Sequence, residues 1–170
     1  MKKIIHLGLF LGLLAGLSTV ALTFVNEITA PVIAQAQDDL FHEQLYIAFP
    51  DATRYASIGT HAPYTVDVFR VYAGNTVIGY IYKQEITGFA DIVRYMLVFD
   101  TDGYIRNYMT LLNSETIGFA DPARLYAWAD TQFIGQLGDT QIDILAGATV
   151  TTAPIIRAIG HAYEDFISRR

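Results

Sequence analysis

Hydrophobic residues crowd the front of this chain and give way to alternation behind it. Between Ile4 and Val25 the one ionisable side chain is His6. A helix of that run, at about 1.5 Å per residue, spans a hydrocarbon core of roughly 30 Å. Asn26 to Phe49 continues in helical register, with a break expected at Thr29-Ala30-Pro31. In it Ile33, Leu40, Leu45 and Ala48 make one apolar stripe. Pro50, Asp51 and Gly59 mark irregular chain. Strand patterns begin at Tyr64. Val66, Val68 and Val71, then Val77, Ile78, Tyr80 and Tyr82, predict two strands separated by Ala73-Gly74-Asn75. A third is expected at Ile92–Phe99, with Ile92, Arg94, Met96 and Val98 on one face. Asp100-Thr101-Asp102-Gly103 is a hairpin turn, and Tyr104–Leu111 returns from it. Asn113–Ala120 then reads as a loop, and Asp121 as the cap of a short helix through Trp128. Ile142–Leu145 suggests a short apolar strand. Ile155, Ile159, Tyr163 and Phe166 line one side of a final helix. The pattern predicts an α+β fold: an N-terminal transmembrane helix, a meandering antiparallel sheet and a C-terminal helix. Its expected divisions are an anchor at 1–28, a helical connector at 29–49 and a domain at 50–170.

Composition bears first on the apolar run. The chain is 52% hydrophobic, with mean hydropathy +0.31, and Lys2 and Lys3 precede the run while Glu27, Asp38 and Asp39 follow it. A cleaved signal has an apolar region of about 7–15 residues, shorter than this one. The Ala34-Gln35-Ala36 sequence, which resembles a cleavage site, lies too far beyond it. An uncleaved single-pass anchor is therefore expected, with the N-terminus cytoplasmic and the domain extracytoplasmic by the positive-inside rule. All 17 acidic residues follow the run, against nine basic ones once Lys2 and Lys3 are set aside, so the remainder carries −8. That charge argues against nucleic acid or an anionic membrane surface as the main partner. The chain has no cysteine, which excludes disulfides, thiolate metal sites and cysteine nucleophiles. A redox role then needs an organic cofactor or a non-thiolate metal. His6, His42, His61 and His161 have no ligand spacing, so no metal site is expected.

Candidate chemistry concentrates just before the last helix, in Asp143-Ile144-Leu145-Ala146-Gly147-Ala148-Thr149-Val150-Thr151-Thr152. Gly147 and Ala148 let backbone approach a ligand closely, and Thr149 offers a hydroxyl. Thr151 and Thr152 are N-cap candidates, and Pro154 suits a first helical turn. Unpaired N–H groups and the positive end of a helix dipole favour a phosphate there. Taken alone, Gly-Ala-Thr reads more readily as a loop that caps the final helix.

This stretch resembles the flavinylation motif of the FMN-binding domain family, in which Ser/Thr-Gly-Ala-Thr follows an aspartate. Other segments carry the likeness in the same order. Thr29-Ala30-Pro31 with Ile33 is similar to the membrane exit of the Rnf G subunit, a member of that family along with the C subunit of the sodium-pumping NADH:quinone oxidoreductase. Gly88-Phe89-Ala90-Asp91-Ile92 looks like the family's glycine-rich turn, and Asp102-Gly103 with Ile105 its hairpin. Glu115-Thr116-Ile117-Gly118-Phe119 resembles Glu-Thr-Pro-Gly-Leu, and Gln132-Phe133-Ile134-Gly135 a Gln-Phe-x-Gly segment. Four positions depart from the pattern: Ala146 stands for Ser or Thr, Ile117 for proline, and Ala90 and Ala120 for glycine. The resemblance implies FMN esterified through its phosphate to Thr149, with Leu145, Ala146, Gly147 and Ala148 beside it. It implies Glu115, Thr116 and Gly118 next to the flavin ring, with a weaker case for Phe119. Asp143 would help a Mg-dependent flavin transferase recognise the site, or merely cap a turn. Glu115 reads nearly as well as a solvated loop carboxylate, and Trp128 as packing. The function implied is that of a membrane-anchored electron carrier in an Rnf-type complex, which moves electrons between ferredoxin and NAD and ions across a membrane. A stand-alone extracytoplasmic flavin carrier and a flavin-free anchored interaction domain are the alternatives.

Overall fold

The structure, a computed structural model, describes residues 2–170, apart from the side chains of residues 2, 34, 37, 38 and 42. The flanking charges of Lys2 and Asp38 and the imidazole of His42 thus lie outside the described residues. Helix α1 runs from Lys2 to Ala48 and includes Pro31. The expected break at Thr29-Ala30-Pro31 does not occur. Pro31 removes one backbone hydrogen bond, but no glycine or turn residue follows to stop the helix. Residues Lys3–Ile33 are long and apolar enough to cross a membrane, with a mean hydropathy of 2.1. The chain divides into two compact units, Met1–Leu40 and Phe41–Arg170.

The second unit is built on a five-stranded antiparallel sheet in sequence order. Its strands are β1 (Arg54–Ser57), β2 (Thr65–Ala73), β3 (Thr76–Thr87), β4 (Ile92–Phe99) and β5 (Ile105–Leu112). The hydrophobic pattern locates the last four closely. β1 falls in chain expected to be irregular. Its four residues are too short for alternation to register, and it exists because the β2 edge offers it a partner.

Two helices cover one face of the sheet: α2 (Pro122–Gln132) and α3 (Thr149–Arg169). Val93, Tyr95, Leu97 and Phe99 of β4 bury against Leu125 and Trp128 of α2 and Ile155, Ile159 and Phe166 of α3. Each such side chain contributes about 1.5–3 kcal/mol when withdrawn from water. On the other face Phe69, Ile81 and Val98 form a row in register. The Phe41 ring lies 4.9 Å from that of Phe69, and Leu45 is fully buried, so the last turns of α1 belong to this unit. The stripe expected on α3 is present: Ile155, Ile159 and Phe166 are buried, with Ala158 and Ala162 between them. Ile142–Leu145 forms no strand. Three chain segments meet at one end of the sheet: the 88–91 turn, the loop after β5 and the approach to α3.

Candidate functional site

The site is assembled around the start of α3. Gly147 has φ +81°, a conformation side-chain-bearing residues rarely adopt, and it turns the chain into the helix. The helix begins shortly after it, with Ala148 at the N-cap and Thr149 first in the helix. The capping role expected of Thr151 and Thr152 is therefore corrected. Both lie inside the first turn, buried, and their hydroxyls serve other partners. Thr152 Oγ1 donates to the Ala148 carbonyl at 3.0 Å, and Thr151 Oγ1 donates to Glu115 Oε2 at 2.9 Å. The N–H groups of Thr151 and Thr152 bond the Ala148 carbonyl at 3.1 and 2.9 Å. The N–H groups of Thr149 and Val150 precede those bonds and project from the helix end. Thr149 is exposed.

Glu115 ties the three segments together. It is 8% exposed, so the solvated-loop reading does not hold. One carboxylate oxygen accepts from Thr151, and the other accepts from the Ala90 N–H at 3.0 Å. Gly88 is required in the same knot, because a Cβ there would collide with Glu115 Oε1. The bond from Ala90 comes from its backbone, so alanine in place of glycine leaves it intact.

These segments enclose a cavity of about 570 Å³, lined by Phe89, Ala120 and Val150 as well as Glu115, Thr116, Phe119, Gly147, Ala148, Thr149 and Thr151. Of the residues singled out from sequence for the cofactor, Glu115, Thr116, Phe119, Gly147, Ala148 and Thr149 thus line one cavity. Leu145 packs toward the hydrophobic core instead, and Gly118 and Ala146 lie outside the lining. Asp143 is exposed, and both its backbone groups are bonded by side chains of α2. Phe89 is 73% exposed, Phe119 53% and Val150 57%, so the mouth of the cavity is apolar.

Sequence reasoning missed Arg124, Trp128 and Gln132 as site residues. Arg124 donates to the Gly118 carbonyl and, at 2.9 Å, to the Ala146 carbonyl, joining the two loops on either side of the cavity. Asp121 accepts from the N–H groups of Gly118 at 2.8 Å and Arg124 at 3.2 Å, and these bonds hold its carboxyl below its ordinary pKa. Trp128, expected only to pack, also donates its indole N–H to the Asp143 carbonyl at 2.8 Å. The signal was the spacing of long donor and acceptor side chains every fourth residue along α2. Farther down the same sheet face, burial pushes the Tyr95 and Tyr108 hydroxyls well above the ordinary tyrosine pKa, so both stay neutral.

This geometry coincides with a known kind of domain. Residues 88–164 match the FMN-binding domain family. Across 164 residues it is 22% identical to the G subunit of the proton-translocating ferredoxin:NAD(+) oxidoreductase complex of Clostridium ljungdahlii, covering 88% of this chain and 84% of that one.

Proposed function

We propose that this protein is a membrane-anchored electron carrier that holds FMN in the cavity at the start of α3, joined by a phosphoester to Thr149. The observation that carries the reading is the unequal state of three neighbouring threonines. Thr151 and Thr152 are buried and donate to internal acceptors, whereas Thr149 is exposed on the cavity wall. The site suits FMN on physical grounds. Its volume lies within the roughly 300–1,000 Å³ usual for small-molecule sites. Phe89, Phe119, Ala120 and Val150 offer an apolar wall for a ring system, and the helix N-terminus suits the phosphate. Bound FMN supplies the redox chemistry; the chain fixes its place and limits water around it.

Attachment requires an activated phosphoryl donor. Thr149 Oγ1 attacks the FMN phosphorus of a flavin dinucleotide, forming one P–O bond as the pyrophosphate P–O bond breaks. The nucleoside monophosphate departs, and the hydroxyl proton passes to a base of the Mg-dependent flavin transferase. Asp143, exposed upstream of the acceptor, is the carboxylate through which that enzyme recognises the segment. Ala146 contributes its backbone carbonyl to Arg124 and no side-chain hydrogen bond.

The likeness to a component of a ferredoxin:NAD(+) oxidoreductase complex favours work within an Rnf-type assembly that couples electron flow to ion movement. In that arrangement α1 crosses the membrane, its N-terminus lies in the cytoplasm, and the domain lies outside. The test is in-gel flavin fluorescence of the denatured full chain after co-expression with a flavin transferase. Wild type is expected to fluoresce and Thr149→Ala to be dark. Equal fluorescence in both would move the attachment elsewhere, and a dark wild type would overturn the covalent reading. Co-extraction with integral membrane redox subunits in mild detergent tests the assembly; purification as a lone chain would contradict it.

A further inference from the structure

One face of α2 is given over to the backbone of the segment that leads to Thr149. Arg124, Trp128 and Gln132 stand four residues apart, so they stack along one side of the helix. Gln132 Oε1 accepts from the Asp143 N–H at 3.1 Å, Trp128 Nε1 donates to the Asp143 carbonyl at 2.8 Å, and Arg124 donates to the Ala146 carbonyl at 2.9 Å. Side chains of α2 thus hold both backbone groups of Asp143 and the carbonyl of Ala146. Because the contacts use main-chain groups, the side chains remain outside: Asp143, Ile144 (50% exposed) and Ala146 face solvent, as does Thr149. The held stretch is neither helix nor strand up to Leu145 and turns at Ala146-Gly147 into α3, so side-chain bonds from α2 stand in for the backbone pairing that regular structure would supply.

We infer that Arg124, Trp128 and Gln132 form a presenting clamp that holds residues 143–149 in the conformation the flavin transferase binds. The inference rests on the covalent attachment proposed above. The segment is ordered by folding, so docking of the enzyme need not order it, and preorganisation of this kind appears as tighter association. The three residues are positioning residues; none takes part in phosphoryl transfer.

Trp128→Phe removes the indole donor while keeping an aromatic ring, and Gln132→Ala removes an acceptor from a half-buried position. The test measures initial rates of flavin incorporation into the full detergent-solubilised chain, as a function of its concentration, with amide exchange over residues 143–149 recorded in parallel. Each variant is expected to speed exchange in that segment and to raise the KM of the chain as substrate about five- to tenfold, the equivalent of one hydrogen bond, with kcat nearly unchanged. Faster exchange with an unaltered KM would overturn the clamp while leaving attachment intact. Unaltered exchange would overturn it as well. Failure of wild type and variants alike to take up flavin would overturn the underlying covalent reading, and the inference with it.

Discussion

At the scale of single residues, the site depends on who receives each hydroxyl and who makes room for each carboxylate. Glu115 accepts from Ala90 and Thr151, and Gly88 leaves the space in which it does so. Gly88→Ala places a methyl against that carboxylate, with the Asp91 carbonyl 3.0 Å away on another side. The variant is expected to lose about 1–3 kcal/mol, from overpacking and from bonds Glu115 must release. Urea unfolding of the globular unit measures this directly, and an unchanged midpoint would show that Glu115 has a second resting place. Conversely, the family departures at Ala90 and Ala120 are absorbed without loss of contact. Ala90 serves through its N–H, and Ala120 is 1% exposed in the core. Residue identity in the sequence made Thr149 and Glu115 visible. It did not show that Glu115 is buried, because its two donors lie 25 residues upstream and 36 residues downstream.

At the scale of elements, legibility followed periodicity. β4 was readable as an apolar run of eight residues broken only by Arg94, and the buried stripe of α3 because its side chains recur at helical spacing. Two of the failures share a cause. β1 and the segment at 142–145 are short, and the partners that decide their conformation lie elsewhere in the chain: the β2 edge for one, the side chains of α2 for the other. The start of α3 was misjudged by a few residues, because Gly147 makes the turn that a capping hydroxyl would otherwise mark. The start of α2, by contrast, carries its own signal in Asp121 followed by Pro122. That cap yields a pH prediction. Hydrogen bonds from Gly118 and Arg124 lower the Asp121 pKa below its ordinary 3.8, so the folded state favours the carboxylate. Its contribution is complete above 3.8 and fades as pH falls through the lower folded value. Acid is therefore expected to cost the Gly118 and Arg124 amides less exchange protection in Asp121→Asn than in wild type, since the variant has no charge to lose. Identical acid profiles would remove Asp121 from the loop's stability.

At the scale of the molecule, the globular unit begins inside the first helix. Phe41 is 4% exposed and Leu45 fully buried, although the hydrophobic pattern placed both in a connector ahead of the domain. A chain starting at residue 50 lacks both and is expected to be less stable than one starting at residue 39 by about 3–6 kcal/mol, the burial of two large side chains. Thermal unfolding of the two soluble pieces compares them, and equal midpoints would return residues 41–48 to the connector. The remaining architecture serves one end of the sheet, where three segments surround a cavity and present two exposed threonines to it, Thr116 in the loop after β5 and Thr149 at the start of α3. The most direct measurement is mass analysis of the tryptic peptide Leu125–Arg157 from the full chain matured with a flavin transferase. The peptide is expected to gain the mass of one FMN less one water, with fragmentation assigning the addition to Thr149. An unmodified peptide, or an addition on Thr151 or Thr152, would contradict the account.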